Sequence, residues 1–388
     1  MIHREMSRAL AVLAKGYPIL AVTGPRQSGK TTLSKAIFPK KPYISMEDPD
    51  ELELARNDPR GFLSRYPDGA ILDEIQRTPH LLSYLQTQVD QDGRMGLFVL
   101  TGSQQFGLMA KISQSLAGRV GMVQLLPFSL SELESAKRIP PTLEELMFRG
   151  SYPPLYSREV SPQNWYASYM MTYIERDLRQ ILNVHDLSLF QKFVRMCAAR
   201  TGQLLNLSSL SNDCGISHNT AKAWLSALEA SYILFLLTPY HRNFNKRLVK
   251  TPKLYFYDTG LASWLLGIQK KEEIVTHAMR GALFETWVLI ELAKGRFNAG
   301  LTSNLYFWRD NTGHEVDVLI ENGSQLIPIE IKSGQTLSTD YFKGLEKWYQ
   351  ISGEKEKLSY LVYAGAQAQP FKDTKIIPWR QISKIAES

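Results

Sequence analysis

Cysteine is almost missing from this sequence: Cys197 and Cys214 are the only two in 388 residues, and they stand in unrelated surroundings. Neither a disulfide framework nor a zinc site can be built from them. Long apolar runs are missing too. No stretch approaches the roughly 20 residues that a membrane span needs. The first twenty residues carry Arg4, Glu5, Arg8 and Lys15 where a secretory signal would be uninterrupted and apolar. These absences lead to an expected location in the cytoplasm, with no membrane partner. Nor does one sign of charge dominate, since 45 Lys and Arg against 38 Asp and Glu leave a formal net charge of +7. Such a surplus permits a nucleic-acid partner without requiring one. With 44% hydrophobic residues, a chain of this length can bury the cores of two or three domains.

What is present begins with Gly24-Pro25-Arg26-Gln27-Ser28-Gly29-Lys30-Thr31-Thr32, which fits G-x-x-x-x-G-K-[ST]. The apolar run Pro18–Val22 before it reads as a buried strand. Leu33–Phe38 after it reads as a helix that Pro39 stops. In that setting the glycines let successive amides and the helix N-terminus face phosphate oxygens. Lys30 is then expected to reach the β- and γ-phosphates of ATP, and the Thr31 hydroxyl to bind Mg²⁺.

Pro42–Met46 reads as a second short strand, and a third, the apolar run Gly69–Leu72, ends in Asp73-Glu74. At a strand end following a P-loop, Asp73 is expected in the Mg²⁺ shell, and Glu74 is placed to polarise the attacking water. Leu97–Thr101 is another buried strand, ending at Gly102-Ser103-Gln104. Ser103 or Gln104 is placed to sense the γ-phosphate, unless this is a plain turn. Arg119 precedes an apolar run, Met122–Leu125, expected as a fifth strand, and reads either as an arginine finger, which requires a homo-oligomer, or as a surface ion-pair partner. Strands and helices alternating at these lengths predict a mostly parallel sheet covered on both faces.

Taken together, Gly24–Thr31, Ile71–Glu74, Leu100–Gln104 and Leu126–Glu132 resemble the AAA-type ATPases of bacteria and archaea. More narrowly they resemble the group with a C-terminal domain of unknown function. The likeness continues through Tyr173–Leu178, Phe256-Tyr257-Asp258-Thr259-Gly260-Leu261, Trp308-Arg309 and Glu315-Val316-Asp317. It implies an ATPase fold followed by helical and nuclease-like parts, expected at 1–139, 140–270 and 271–388.

In the middle part, Leu207–Leu210 opens a short helix, Gly215 makes a turn, and Ser217 caps a second helix running to about Ala230. Ala221, Leu225 and Leu228 share one face of that helix; His218, Asn219 and Lys222 share the other. Strands Ile233–Leu237 and Lys253–Tyr257, with the basic stretch His241–Arg247 between them, complete a winged helix-turn-helix. It either enters a DNA groove or serves as an internal packing module.

The last hundred residues hold Glu285, Asp317 and Glu330-Ile331-Lys332, an order that resembles the core of restriction-endonuclease-like nucleases. Asn322-Gly323 predicts a hairpin pairing Glu321 with Ser324 and Asp317 with Pro328. By that parity Asp317, Glu330 and Lys332 project from one side. Two carboxylates and an ammonium on one face predict a Mg²⁺ site with Lys332 beside a scissile phosphate and Glu285 adding a ligand. The alternative is an ion-pair cluster on an inherited fold. Pro328 in mid-strand is expected to push its strand toward an edge. The whole reads as an α/β chain: a P-loop ATPase sheet, a helical winged-helix region, and a restriction-endonuclease-like α/β domain. The expected activity is ATP hydrolysis, acting on nucleic acid with cleavage as an output, or else gating a regulator or scaffold that binds a partner without catalysis.

Overall fold

The computed structural model describes residues 2–103, 115–175, 186–240, 249–353 and 357–386. Five short strands build the first sheet: β1 (Ile19–Thr23), β2 (Tyr43–Ser45), β3 (Ile71–Asp73), β4 (Phe98–Gly102) and β5 (Val120–Gln124). All pair in parallel, in the order β2-β3-β4-β1-β5. Alternate side chains explain why these runs are apolar throughout. Ile19, Ala21, Leu72, Phe98 and Leu100 enter one core cluster, while Leu20, Val22, Ile71 and Val99 enter another. The order puts β4 between the strand that feeds the P-loop and the strand that ends at Asp73, so the carboxyl ends of all three lie along one rim.

By backbone contacts the chain divides into two compact units. The first comprises Met1–Phe128 together with Ala230–Tyr232 and Arg296–Thr302. The second comprises Ser129–Glu229, Ile233–Gly295 and Ser303–Ser388.

In the second unit, Ser129 and Glu132 form a reciprocal capping box at the start of helix Leu130–Ser135, the local reason for the Ser129–Glu132 pattern. Helices Leu187–Ala198, Leu207–Cys214 and His218–Ala230 follow, with β6 (Gln203–Leu204) between the first two. Gly215 adopts the left-handed conformation that ends Leu207–Cys214, and the Ser217 hydroxyl accepts the Thr220 amide at 3.1 Å. Strands β7 (Leu234–Leu237) and β8 (Lys253–Phe256) join β6 in an antiparallel sheet ordered β6-β8-β7. The basic stretch 241–247 lies outside the described residues, apart from its neighbours, as do Gln104 and Arg176-Asp177-Leu178.

A six-stranded sheet closes the second unit: β9 (Leu305–Arg309), β10 (Glu315–Asn322), β11 (Gln325–Lys332), β12 (Ser359–Tyr363), β13 (Gln369–Phe371) and β14 (Thr374–Pro378), ordered β13-β14-β12-β11-β10-β9. Two sequence expectations need correction here. The turn is Gly323-Ser324, with Gly323 at φ +62°, so Asn322 pairs with Gln325 and Leu319, not Asp317, faces Pro328. That shift of two residues preserves parity, and therefore the shared face. Pro328 also lies on no edge strand, since β11 runs between β10 and β12. Its missing amide is tolerated because β12 begins pairing only at Ile329. No helix among the described residues is long and apolar enough to cross a membrane.

Candidate functional site

The P-loop leaves β1 at Thr23 and enters helix Lys30–Ile37 at Gly29, whose φ of +97° only glycine accepts readily. Gly24 must also be glycine. A Cβ there would stand 2.1 Å from the Leu125 carbonyl oxygen. Lys30 is buried, and its ammonium donates to the carbonyls of Gly24 at 2.9 Å and Pro25 at 2.8 Å. Burial pushes its pKa down to about 8, partly offset by Glu74 and Asp73. The loop thus folds around its own lysine, a cation able to move from carbonyl oxygens to phosphate oxygens. Ser28 is fully buried within the loop, whereas Gln27 and Thr32 are exposed and Arg26 lies 3.7 Å from Glu47.

Asp73 at the end of β3 collects three hydroxyls. Thr31 donates to its Oδ2 at 2.9 Å and Tyr43 to the same oxygen at 2.7 Å, while Thr101 donates to Oδ1. Joining Thr31 to Asp73 is the arrangement a Mg²⁺ site needs, so the residues present fit that ion. Tyr43 and Thr101 were missed in the sequence. Thr101 lies near the carboxyl end of β4 and Tyr43 opens β2, the strands on either side of β3, a placement visible only once the strand order is known.

Glu74 follows in the left-handed region at φ +55°, a conformation that costs a non-glycine residue on the order of 1 kcal/mol. Burial raises its pKa, against the pull of Lys30. Its Oε2 accepts from Ser103 at 3.3 Å and from Gln76. Ser103 therefore touches the carboxylate expected to act on water. Arg119 is engaged elsewhere, gripping both oxygens of Asp90 at 2.5 and 2.8 Å on an exposed surface of its own chain.

The carboxylates of the second unit converge around lysines. The buried Lys253 ammonium lies 3.1 Å from Glu285 and also pairs with Glu315, and the Tyr255 hydroxyl donates to Glu285. Asp317 accepts the Ile331 amide at 2.8 Å, and Lys332 pairs with Glu330 while standing 3.9 Å from Asp317. Among the described residues no group of three His, Cys, Asp or Glu side chains could hold a metal ion. The expected ligands Glu285, Asp317 and Glu330 stand among these lysines, with Asp317 near enough to push up the carboxyls of both others. Glu285 turns to Lys253, a residue of β8 that the sequence reading had not connected with it.

Glu330 is buried, with Oε2 lacking a hydrogen-bond partner. Burial, with Asp317 beside it, pushes its carboxyl up to about 8. Because the folded group keeps its proton above the ordinary 4.5, its stabilising contribution is present below that pH and is lost as the pH rises toward about 8. Glu285, pushed by burial up to about 7, acts in the same direction. Melting temperature should therefore fall between about pH 5 and about pH 8, and Glu330→Gln should flatten that fall. An equally steep fall in the variant would place the titration elsewhere.

Against this geometry, residues 16–134 match an AAA domain, 140–272 the domain of unknown function DUF8612, and 280–382 the domain of unknown function DUF4143. The chain is 31% identical over 385 residues to the uncharacterized protein Rv2008c of Mycobacterium tuberculosis, covering 98% of this chain and 84% of that one. The uncharacterized protein Mb2031c of Mycobacterium bovis matches to the same extent. The chain belongs to this family of AAA-type P-loop ATPases. Among solved structures, the ATPase is similar to the Walker-type ATPase PABY2304 of Pyrococcus abyssi, at 16% identity and a TM-score of 0.46, over 68% of this chain and 96% of that one. Its likeness to AMPPCP-bound DnaA of Aquifex aeolicus is fainter, at 14% identity and a TM-score of 0.32, over 58% of this chain and 85% of that one.

Proposed function

We propose that this ATPase hydrolyses ATP at the Lys30–Asp73–Glu74 rim and acts on nucleic acid through helix His218–Ala230. Lys30 would leave its two carbonyls for the β- and γ-phosphates, and the loop amides would hold the same phosphates. Thr31 and Asp73 would hold Mg²⁺, which supplies charge neutralisation at the phosphates. Glu74, aimed by its left-handed backbone and steadied by Ser103 and Gln76, would take a proton from the attacking water. The three parts 1–139, 140–270 and 271–388 remain the division we favour for function.

One observation carries the nucleic-acid reading. The order helix Leu187–Ala198, β6, helix Leu207–Cys214, helix His218–Ala230, β7, β8 is that of a winged helix, with its second turn-joined helix buried at Ala221, Trp224, Leu225 and Leu228. His218, Asn219 and Lys222 stay exposed on the opposite face. This polar outer stripe, with Lys222 in it, lies at the N-terminal end of the helix, where recognition helices meet DNA. In the C-terminal domain the carboxylates Glu285, Glu315 and Glu330 pair with Lys253 and Lys332, and cleavage as an output is a separate question from the DNA contact of helix His218–Ala230.

Duplex DNA should raise the ATPase rate at low salt, and the effect should fade as salt releases the counterion advantage. Lys222→Ala should weaken binding about equally across unrelated sequences, as a lost phosphate contact does. A protein that associates with neither duplex nor single strands at low salt would instead be an ATP-gated regulator or scaffold.

A further inference from the structure

The AAA-matched segment does not contain everything that holds its own P-loop. Thr23, the last residue of β1, is buried, and its hydroxyl donates to the Val123 carbonyl at 3.2 Å. With its proton so used, Thr23 Oγ1 is an acceptor, and the Tyr232 hydroxyl donates to it at 2.9 Å. Tyr232 is itself buried, 209 positions further along the chain, and belongs with Ala230 and Ser231 to the ATPase unit. It holds φ at +57°, an unfavourable backbone for a tyrosine that the surrounding packing must maintain.

The other end of the loop is held in a similar way. The guanidinium of the buried Arg4 donates to the Ser28 carbonyl at 2.7 Å and to the Leu126 carbonyl at 2.6 Å, with the Phe128 ring 5.0 Å from it. Arg4 precedes the matched segment 16–134 and Tyr232 follows it. Between the two anchors Gly24 presses against Leu125 with no room for a side chain, so the loop cannot take up a displacement of Thr23 by shifting toward β5. Where Thr23 and Ser28 are held, the phosphate cradle is held.

We propose that Tyr232 and Arg4 are positioning residues of the ATP site, acting through Thr23 and Ser28 to preorganise the loop before nucleotide arrives. Neither touches the phosphates. Their effect falls on the cradle, which grips ground state and transition state alike, so it enters affinity more than turnover.

Steady-state kinetics and equilibrium ATP binding by the full chain test this, with melting temperature recorded for every variant. Tyr232→Phe, which deletes one hydroxyl, should raise KM and Kd for ATP roughly three- to tenfold, the factor one hydrogen bond carries. Its kcat should stay within about twofold. Thr23→Val, of similar volume, should produce at least the same split, since it also gives up the bond to the Val123 carbonyl, and the double variant should be no worse than the poorer single one, because both break the Tyr232–Thr23 bond. Arg4→Lys keeps the charge but cannot span two carbonyls, and should raise KM likewise. A merely structural role would lower the active fraction, reducing kcat and melting temperature at unchanged KM. That pattern, unchanged ATP affinity in both Tyr232→Phe and Thr23→Val, or effects of those two that multiply, would overturn the proposal.

Discussion

Replacing Lys30 by alanine should reduce ATP turnover by on the order of 10²- to 10³-fold or more, the size of effect seen when one preorganised donor to a developing charge is lost. Lys30 is the loop's buried ammonium, held at 2.8 and 2.9 Å by two carbonyls that compete only weakly with a phosphate for it. Its lowered pKa, about 8, adds a pH signature. In the nucleotide-free protein the charge is present below that value and is lost as the pH rises through it, so ATP affinity should weaken above about pH 8. Glu74→Gln should behave differently. An amide keeps the shape and the contacts to Ser103 and Gln76 but cannot accept a proton from water, so the variant should bind ATP as well as wild type while turnover falls comparably. Measuring nucleotide affinity and single-turnover hydrolysis side by side separates the two. Normal hydrolysis by either variant would mean that the reaction occurs elsewhere.

Asp258→Ala should destabilise the second unit by about 3 kcal/mol or more, as expected when one buried acceptor serving several donors is removed. The Asp258 carboxylate is buried and accepts the Leu261 amide at 2.9 Å, capping helix Thr259–Leu265. It also accepts the Ser151 amide at 2.8 Å and the Tyr166 hydroxyl at 2.6 Å. Alanine would strand both amides, while the Tyr166 hydroxyl would keep only the Arg149 carbonyl at 3.0 Å. Two glycines are packed tightly into the same place: a Cβ on Gly150 would meet the Tyr166 hydroxyl at 2.1 Å and one on Gly260 would meet it at 2.3 Å. Chemical denaturation followed by a probe in this unit should show the loss, while ATP binding persists because its residues lie in the other unit. A variant with an unaltered denaturation midpoint would show that Asp258 is replaceable by water.

This second case also explains the Phe256–Leu261 pattern, which in the sequence carried resemblance but no chemistry. Its aspartate is an N-cap recruited to join three separate parts of the chain. Capping is a local property and could be read from Asp258 followed by a helix; the second and third donors come from positions about a hundred residues away and could not.

The sequence by itself determined the nucleotide loop, its flanking strand and helix, the acidic strand end at Asp73-Glu74, and the helix-turn-helix spacing from Leu207 to Ala230. These follow from local rules: glycine where φ is positive, apolar period two or 3.6, a cap before a helix. Strand parity likewise placed Asp317, Glu330 and Lys332 on one face, and survived a turn misplaced by one residue because that moves the pairing by two, the side-chain period of a strand. Tertiary structure alone decided the strand order that brings Tyr43 and Thr101 to Asp73, the burial of Lys253 between Glu285 and Glu315, and the hold of Arg4 and Tyr232 on the P-loop. The physical reason is one of range. A hydrogen bond or ion pair between residues tens to hundreds of positions apart leaves no periodic trace in the chain, since each partner satisfies its own local pattern and only packing brings the two within 3 Å.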